Sequence, residues 1–215
     1  MKKSKIETAE TRKRIVSIAS RIFMEQGLAA TGIADVMKAA GLTQGGFYRH
    51  FESKEQLIAE ANAAAGDNIY ERLEQAIAGK SPADALETTV QLYLNQFRND
   101  KPEYLCPLAS LGTELLHSDE QVKIGAAAGY QRLVDFMAVQ TRKLNLLDHG
   151  RVACAIVSTM IGAGTLSKLA PNETRRIAAL DNAANMVRLL IQAAPRTTAQ
   201  QDTGSPTLAA EASAT

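Results

Sequence analysis

The chain has 215 residues, 46% of them apolar, which is enough for a substantial core, and its formal net charge is only +1. No run of eighteen apolar residues occurs and the start "MKKSKIETAETRKR" lacks the apolar segment of a secretory signal, so the composition argues against a membrane protein and for a soluble, cytoplasmic one. Cys106 and Cys154 lie far apart in a chain without an export signal, which argues against a disulfide framework.

The small net charge conceals an asymmetry. Residues 1–54 hold ten Lys/Arg against five Asp/Glu, while the remainder is acidic. That distribution suits a basic module that approaches phosphates, joined to a body with other duties.

The periodicity is helical from end to end. Ile15, Ile18, Ala19, Ile22 and Phe23 follow an i, i+3, i+4 pattern that stops at Gly27, which predicts a first helix over about 10–26. A short second helix follows over about 33–40, closed by Gly41, and Thr43 is placed to cap a third that runs to about His50. Ser53 and Gln56 have capping-box spacing and open a long fourth helix with Leu57, Ala61, Ala65, Ile69, Leu73 and Ile77 at four-residue steps. Leu86, Val90, Tyr93, Leu94 and Phe97 mark a fifth helix, ended by "NDKP". Pro107 suits the first position of a sixth, and Asp119 the cap of a seventh carrying Val122, Leu133, Phe136, Met137 and Leu144. Val152, Ile156, Met160, Ala163 and Leu166 predict an eighth helix, and Ile177, Leu180, Ala184, Val187 and Ile191 a ninth, on a stripe suited to shallow helix packing. No segment reads as a strand, so the expected class is all-α, with residues 1–54 as one domain, 55–194 as a second, and a small, polar, disordered tail over 195–215.

The segment "GLTQGGFYRHFESKEQL", residues 41–57, is the most informative. A short helix, a glycine-containing turn and a second short helix form a helix-turn-helix pattern, whose second helix enters the major groove of DNA. Two adjacent glycines cost about 1 kcal/mol each against Ala in a helix, so Gly45 and Gly46 need an external reason, such as close approach to a DNA backbone or base edge. Gln44 can read adenine or bind phosphate; Tyr48, Arg49 and His50 can donate to phosphates, and Lys54 stands at the next helix N-terminus. Phe47 and Phe51, four apart, face inward.

At these residues the chain resembles the TetR family of bacterial transcriptional repressors, through "TGIADVMKAAGLTQGGFYRHFESKEQL" and a match covering about residues 10–60. The resemblance implies nine helices, a homodimer joined through the last two, a ligand pocket among the middle helices, and a DNA surface formed by Thr31, Thr43, Gln44, Gly45, Tyr48, Arg49, His50 and Lys54. Gly32 and Gly46 depart from the family pattern, which commonly has Ser or Thr there. The implied function is repression of a palindromic operator, relieved by a small hydrophobic or electrophilic effector; a ligand-responsive activator, or a less specific DNA-binding regulator, is the alternative.

The effector half is less legible. Cys106 precedes Pro107, and a thiol at a helix N-terminus can have a lowered pKa. It is read either as a reactive sensor, as in some relatives with a cysteine at the start of this helix, or as an inert pocket residue. Cys154 is expected to be buried and unreactive. Tyr93, Phe97, Leu108, Leu111, Leu115, His117, Tyr130, Phe136, Met137 and Met160 are the candidates for lining a pocket. Enzymatic readings fail on spacing: Cys106 and His117 on one helix would stand about 16 Å apart along its axis. "ELLH" has no second copy to make a di-iron site. No cofactor or metal is expected.

Overall fold

The computed structural model describes residues 5–99 and 105–197. Among them it forms eight α-helices and one 3₁₀ helix: α1 (Lys5–Gln26), α2 (Ile33–Ala39), the 3₁₀ helix (Gln44–Arg49), α3 (Lys54–Ile77), α4 (Pro82–Asn99), α5 (Pro107–Leu116), α6 (Glu120–Lys143), α7 (His149–Leu169) and α8 (Glu173–Ala193). The all-α expectation holds, with only an isolated bridge between Leu146 and Arg196 outside the helices.

The helix ends follow local chemistry. Ser53 Oγ accepts from the Gln56 N–H at 3.1 Å and the Gln56 side chain reaches back to the Glu52 N–H at 2.7 Å, which fixes the start of α3. Asp119 caps α6 through the Val122 N–H at 2.9 Å, and Asn172 caps α8 through the Arg175 N–H at 3.0 Å. Thr43 and Cys106 occupy N-cap positions, but neither side chain makes a cap bond. Gly32 has no side chain to cap α2, and the Asp35 carboxylate takes the Gly32 N–H at 2.9 Å instead.

α1 begins five residues earlier than its apolar pattern, because residues 5–10 are exposed and carry no periodicity to read. The third helix is 3₁₀ rather than α: six residues with two glycines near the start do not stabilise a longer i→i+4 ladder. The tail also differs from expectation at its start. The Leu147 N–H donates to the Pro195 carbonyl at 2.7 Å and the Thr197 N–H to the Asn145 carbonyl at 2.9 Å, tying residues 195–197 to the turn between α6 and α7. The rest of the predicted tail, 198–215, lies outside the described residues.

One continuous core links the molecule. Ile15, Ala19 and Phe23 of α1 meet Val36, Met37, Phe47 and Phe51, and α3 carries the core onward through Leu57, Ala61, Ala65, Ile69 and Leu73. At 24 residues α3 is about 36 Å long. It packs on α1, α4 and α6. α7 is long and apolar enough, by length and composition, to cross a membrane, yet it packs against α4, α5, α6 and α8 as a core helix. Gly164 is needed at this packing: a Cβ there would lie 2.6 Å from the Phe97 ring.

Candidate DNA interface and effector cavity

Phe47 and Phe51 are both buried, with ring centroids 5.4 Å apart, and hold the 3₁₀ helix against α1–α3. Arg12 lies over the Phe51 ring at 4.4 Å and pairs with Glu60, so α1 and α3 both grip this anchor. With the phenylalanines turned inward, the opposite face is presented to solvent. Thr43, Gln44, Gly45, Tyr48 and Arg49 are exposed, Tyr48 at 71%, and His50 is half-buried beside Phe51.

Two predicted members of this surface are placed differently. Thr31 is buried, and its hydroxyl donates to the Gly27 carbonyl at 2.7 Å, so it shapes the α1–α2 turn and presents nothing to a partner. Lys54 is half-buried and donates one N–H to the Leu28 carbonyl at 2.7 Å. Its ammonium retains other donors, but its position is set by the turn.

Neither glycine on this face is required by internal packing. A Cβ at Gly45 would meet nothing within 4 Å, and one at Gly46 would make ordinary contact with Met37 Cε at 3.7 Å. The missing side chains therefore leave room outside the molecule, not within it.

The turn between α1 and α2 also touches the second half of the chain. Glu114, in the last turn of α5, accepts from the Ala29 N–H at 2.8 Å. Sequence reasoning missed this contact because the partners are 85 residues apart and a helical glutamate carries no distinguishing pattern.

A cavity of about 290 Å³ lies between α3 and α6, with α4 and α5 behind it. Tyr93, Cys106, Leu108 and Leu115 line it as expected. Other candidates do not. Phe97, Leu111, Met137 and Met160 are buried in core packing away from the cavity, and Phe136 stands behind Tyr70 with ring centroids 6.2 Å apart. His117 is exposed at the C-terminal end of α5. Tyr130 lines a second, broader groove between α5, α6 and α7.

The cavity wall includes residues the sequence did not single out: Asn62, Asp67 and Tyr70 on α3, and Arg132 on α6. Arg132 pairs with Asp67 and lies over the Tyr70 ring at 3.9 Å, while the Tyr70 hydroxyl donates to the Gly129 carbonyl at 3.0 Å. Burial pushes the Tyr70 hydroxyl well above its ordinary pKa, against the opposing pull of Arg132, so it stays protonated.

Of the two readings of Cys106, the geometry favours the inert pocket residue over the activated thiol. Cys106 is buried, and burial raises its pKa despite the Tyr93 hydroxyl and the Ala109 and Leu108 N–H groups, which favour the thiolate. Desolvation of the charged form outweighs the helix N-terminus here. Cys154, expected to be buried, is exposed in the protomer. Cys106 is accordingly expected to react with iodoacetamide at least about tenfold more slowly in the native chain than in urea, its rate still rising with pH above the range where a free thiol levels off. Mass spectrometry of the labelled peptides checks this, and equal native and unfolded rates would contradict the buried, protonated thiol.

Residues 15–61 match the profile of "Bacterial regulatory proteins, tetR family". The chain is similar to the HTH-type transcriptional regulator AcrR of Shigella flexneri, at 36% identity over 94 residues, covering 44% of this chain and 43% of that protein. It is similar to the regulator LmrA of Bacillus subtilis at 26% identity over 169 residues, or 77% of this chain and 90% of LmrA. With AcrR, as with several other curated relatives, the match spans less than half of the relative's length. A TetR transcriptional regulator from Chloroflexus aurantiacus superposes with a TM-score of 0.72 at 28% identity, over 85% of this chain and 96% of that one. Helix order, the anchored helix-turn-helix and these similarities agree: residues 15–61 carry the regulatory segment of the TetR family, and the described chain has the fold of TetR regulators.

Proposed function

We propose that the protein is a cytoplasmic transcriptional repressor that binds a palindromic operator as a homodimer and is released when a small molecule occupies the α3–α6 cavity. The observation that carries this reading is the exposed face of the 3₁₀ helix. Gln44, Tyr48 and Arg49 project from an element anchored by two buried phenylalanines, in the basic quarter of the chain. Gly45 and Gly46 leave the backbone bare on a surface where packing does not ask for glycine. Residues 1–54 would bind DNA and 55–194 would bind the effector and the second subunit.

The homodimer reading draws on the outer faces of the last two helices. Leu166 and Leu169 of α7, and Met186 and Leu189 of α8, are each at least half exposed in the protomer. Two copies of such a surface bury each other in a four-helix arrangement and set the spacing of the two DNA-reading units. Release by chemical modification of Cys106 requires a reagent small enough to enter the cavity, since the thiol is buried and lines it.

Fluorescence anisotropy with duplex DNA from upstream of the coding region tests the reading. Binding is expected to weaken linearly in log–log terms with salt, and Arg49→Ala to reduce the slope by about one. Tyr48→Phe should weaken binding on all sequences alike. An absence of DNA affinity at physiological salt, or a slope unchanged by Arg49→Ala, would overturn the assignment of this face.

A further inference from the structure

The cavity exists because two runs of small residues oppose each other. Ala59, Ala63 and Gly66 on α3 face Gly125, Ala126 and Gly129 on α6, leaving a slot between two helix backbones. Ile69, Leu115 and Leu133 make its deeper wall apolar. Two polar atoms break that wall. Asn62 Oδ1 is buried without a hydrogen-bond partner, and the Tyr93 hydroxyl is likewise unpartnered, with only the Cys106 thiol, a weak partner, beside it. Buried polar groups left unpaired are costly, and they are kept where something pairs with them.

The charges at the slot are already committed. Arg132 is the cation lining it, and its guanidinium is engaged by the Asp67 carboxylate and by the face of the Tyr70 ring. Asp67 already balances the charge of Arg132, so an anionic ligand would compete with that carboxylate or be desolvated beside Asn62 Oδ1. A hydroxyl, being both donor and acceptor, satisfies either unpaired atom without bringing a charge inside.

We propose that the slot binds a neutral, flat, largely aromatic molecule bearing a hydroxyl group, selected by Asn62 and Tyr93. This rests on reading the cavity as the effector site and adds the chemistry of what enters it. Burial keeps the Tyr93 hydroxyl and the Cys106 thiol protonated, so the carboxylate of Asp67, balanced by Arg132, is the anion among the lining residues.

The test is a fluorescence titration of the full chain with 2-naphthol, with 2-methylnaphthalene and 2-naphthoate as competitors of the same shape. The chain has no tryptophan, so naphthol emission is read against little protein background. 2-Naphthol is expected to bind about tenfold more tightly than either competitor. In Asn62→Ala/Tyr93→Phe, which removes the unpaired atoms, the preference for the hydroxyl should disappear while binding of 2-methylnaphthalene persists. In Gly125→Leu, whose new Cβ meets nothing within 4 Å and whose side chain fills the slot, all three should fail to bind while the chain stays folded by circular dichroism. Tighter or equal binding of 2-methylnaphthalene or 2-naphthoate, no binding of 2-naphthol, or a hydroxyl preference that survives the double variant would overturn the proposal. Repeating the titration with operator-bound protein separates the two readings. If 2-naphthol binds with these signatures yet leaves DNA occupancy unchanged, the ligand class stands and the effector role of the cavity falls.

Discussion

Replacing Phe47 by Ala is expected to lower stability by about 3–5 kcal/mol and to abolish DNA binding. The side chain is fully buried, stacked on Phe51 and met edge-on by Tyr48 at 5.2 Å. The 3₁₀ helix has little else to hold it. It is six residues long, Thr43 provides no side-chain cap, and Gly45 and Gly46 lower its intrinsic preference for any helix. Its orientation is therefore a tertiary property, set by the buried rings of Phe47 and Phe51, of which Phe47 alone lies within the helix, and a cavity at that ring frees the donor-bearing face. For a chain of this size the loss corresponds to about 10 °C in Tm. Phe47→Leu, which keeps most of the apolar volume, should recover more than half of the stability and part of the DNA affinity. Thermal unfolding and anisotropy measured on both variants check this. A Phe47→Ala protein with unchanged Tm and affinity would show that the helix holds its place without its anchor.

The same element explains how much of the molecule can be read from the chain. Helices that bury a regular stripe, such as α3 with Leu57, Ala61, Ala65, Ile69 and Leu73, declare both type and extent, and caps such as Asp119 declare their starts. The short helix with its inward rings and exposed donors was equally legible, because glycines, donors and rings fall at fixed spacing within seventeen residues. Its 3₁₀ geometry was not, since α and 3₁₀ turns share their apolar spacing over a single turn. The cavity was half-legible. Tyr93 and Cys106 stand out as residue types, whereas its shape comes from alanines and glycines, which signal nothing singly and matter only when two helices oppose them. Two readings of the thiol stayed open in the chain because sequence shows a helix N-terminus but not the burial that outweighs it.

Gly27→Ala is expected to destabilise the chain by about 2 kcal/mol and to disturb the contact between the DNA-facing and cavity-lining halves. Gly27 has φ of +88°, in the left-handed region, where an L side chain costs about 1–2 kcal/mol. Its new Cβ would also lie 2.7 Å from Glu114 Oε1, so the carboxylate must move. That carboxylate holds the Ala29 N–H, and it does so from the last turn of α5, where the helix dipole disfavours a negative charge. Thr31 fixes the Gly27 carbonyl and Lys54 the Leu28 carbonyl, so the turn is braced by its own threonine, by α3 and by α5 together. The residue after Glu114, Leu115, lines the cavity, and α5 begins at Cys106 and Pro107 on the same wall. A molecule that shifts α5 therefore acts on the turn through one hydrogen bond. Glu114→Ala alone should cost about 1 kcal/mol or less, because the bond is exposed. In the double variant the clash is gone while the backbone strain remains, so the two effects should sum to less than their separate values, by about 0.5–1 kcal/mol. Urea unfolding of the four proteins measures this coupling, and strict additivity would mean that Gly27 and Glu114 do not share the carboxylate contact. In anisotropy, Glu114→Ala should retain DNA binding while any effector-induced release becomes weaker than in the parent protein, since the cavity then moves α5 without pulling on Ala29.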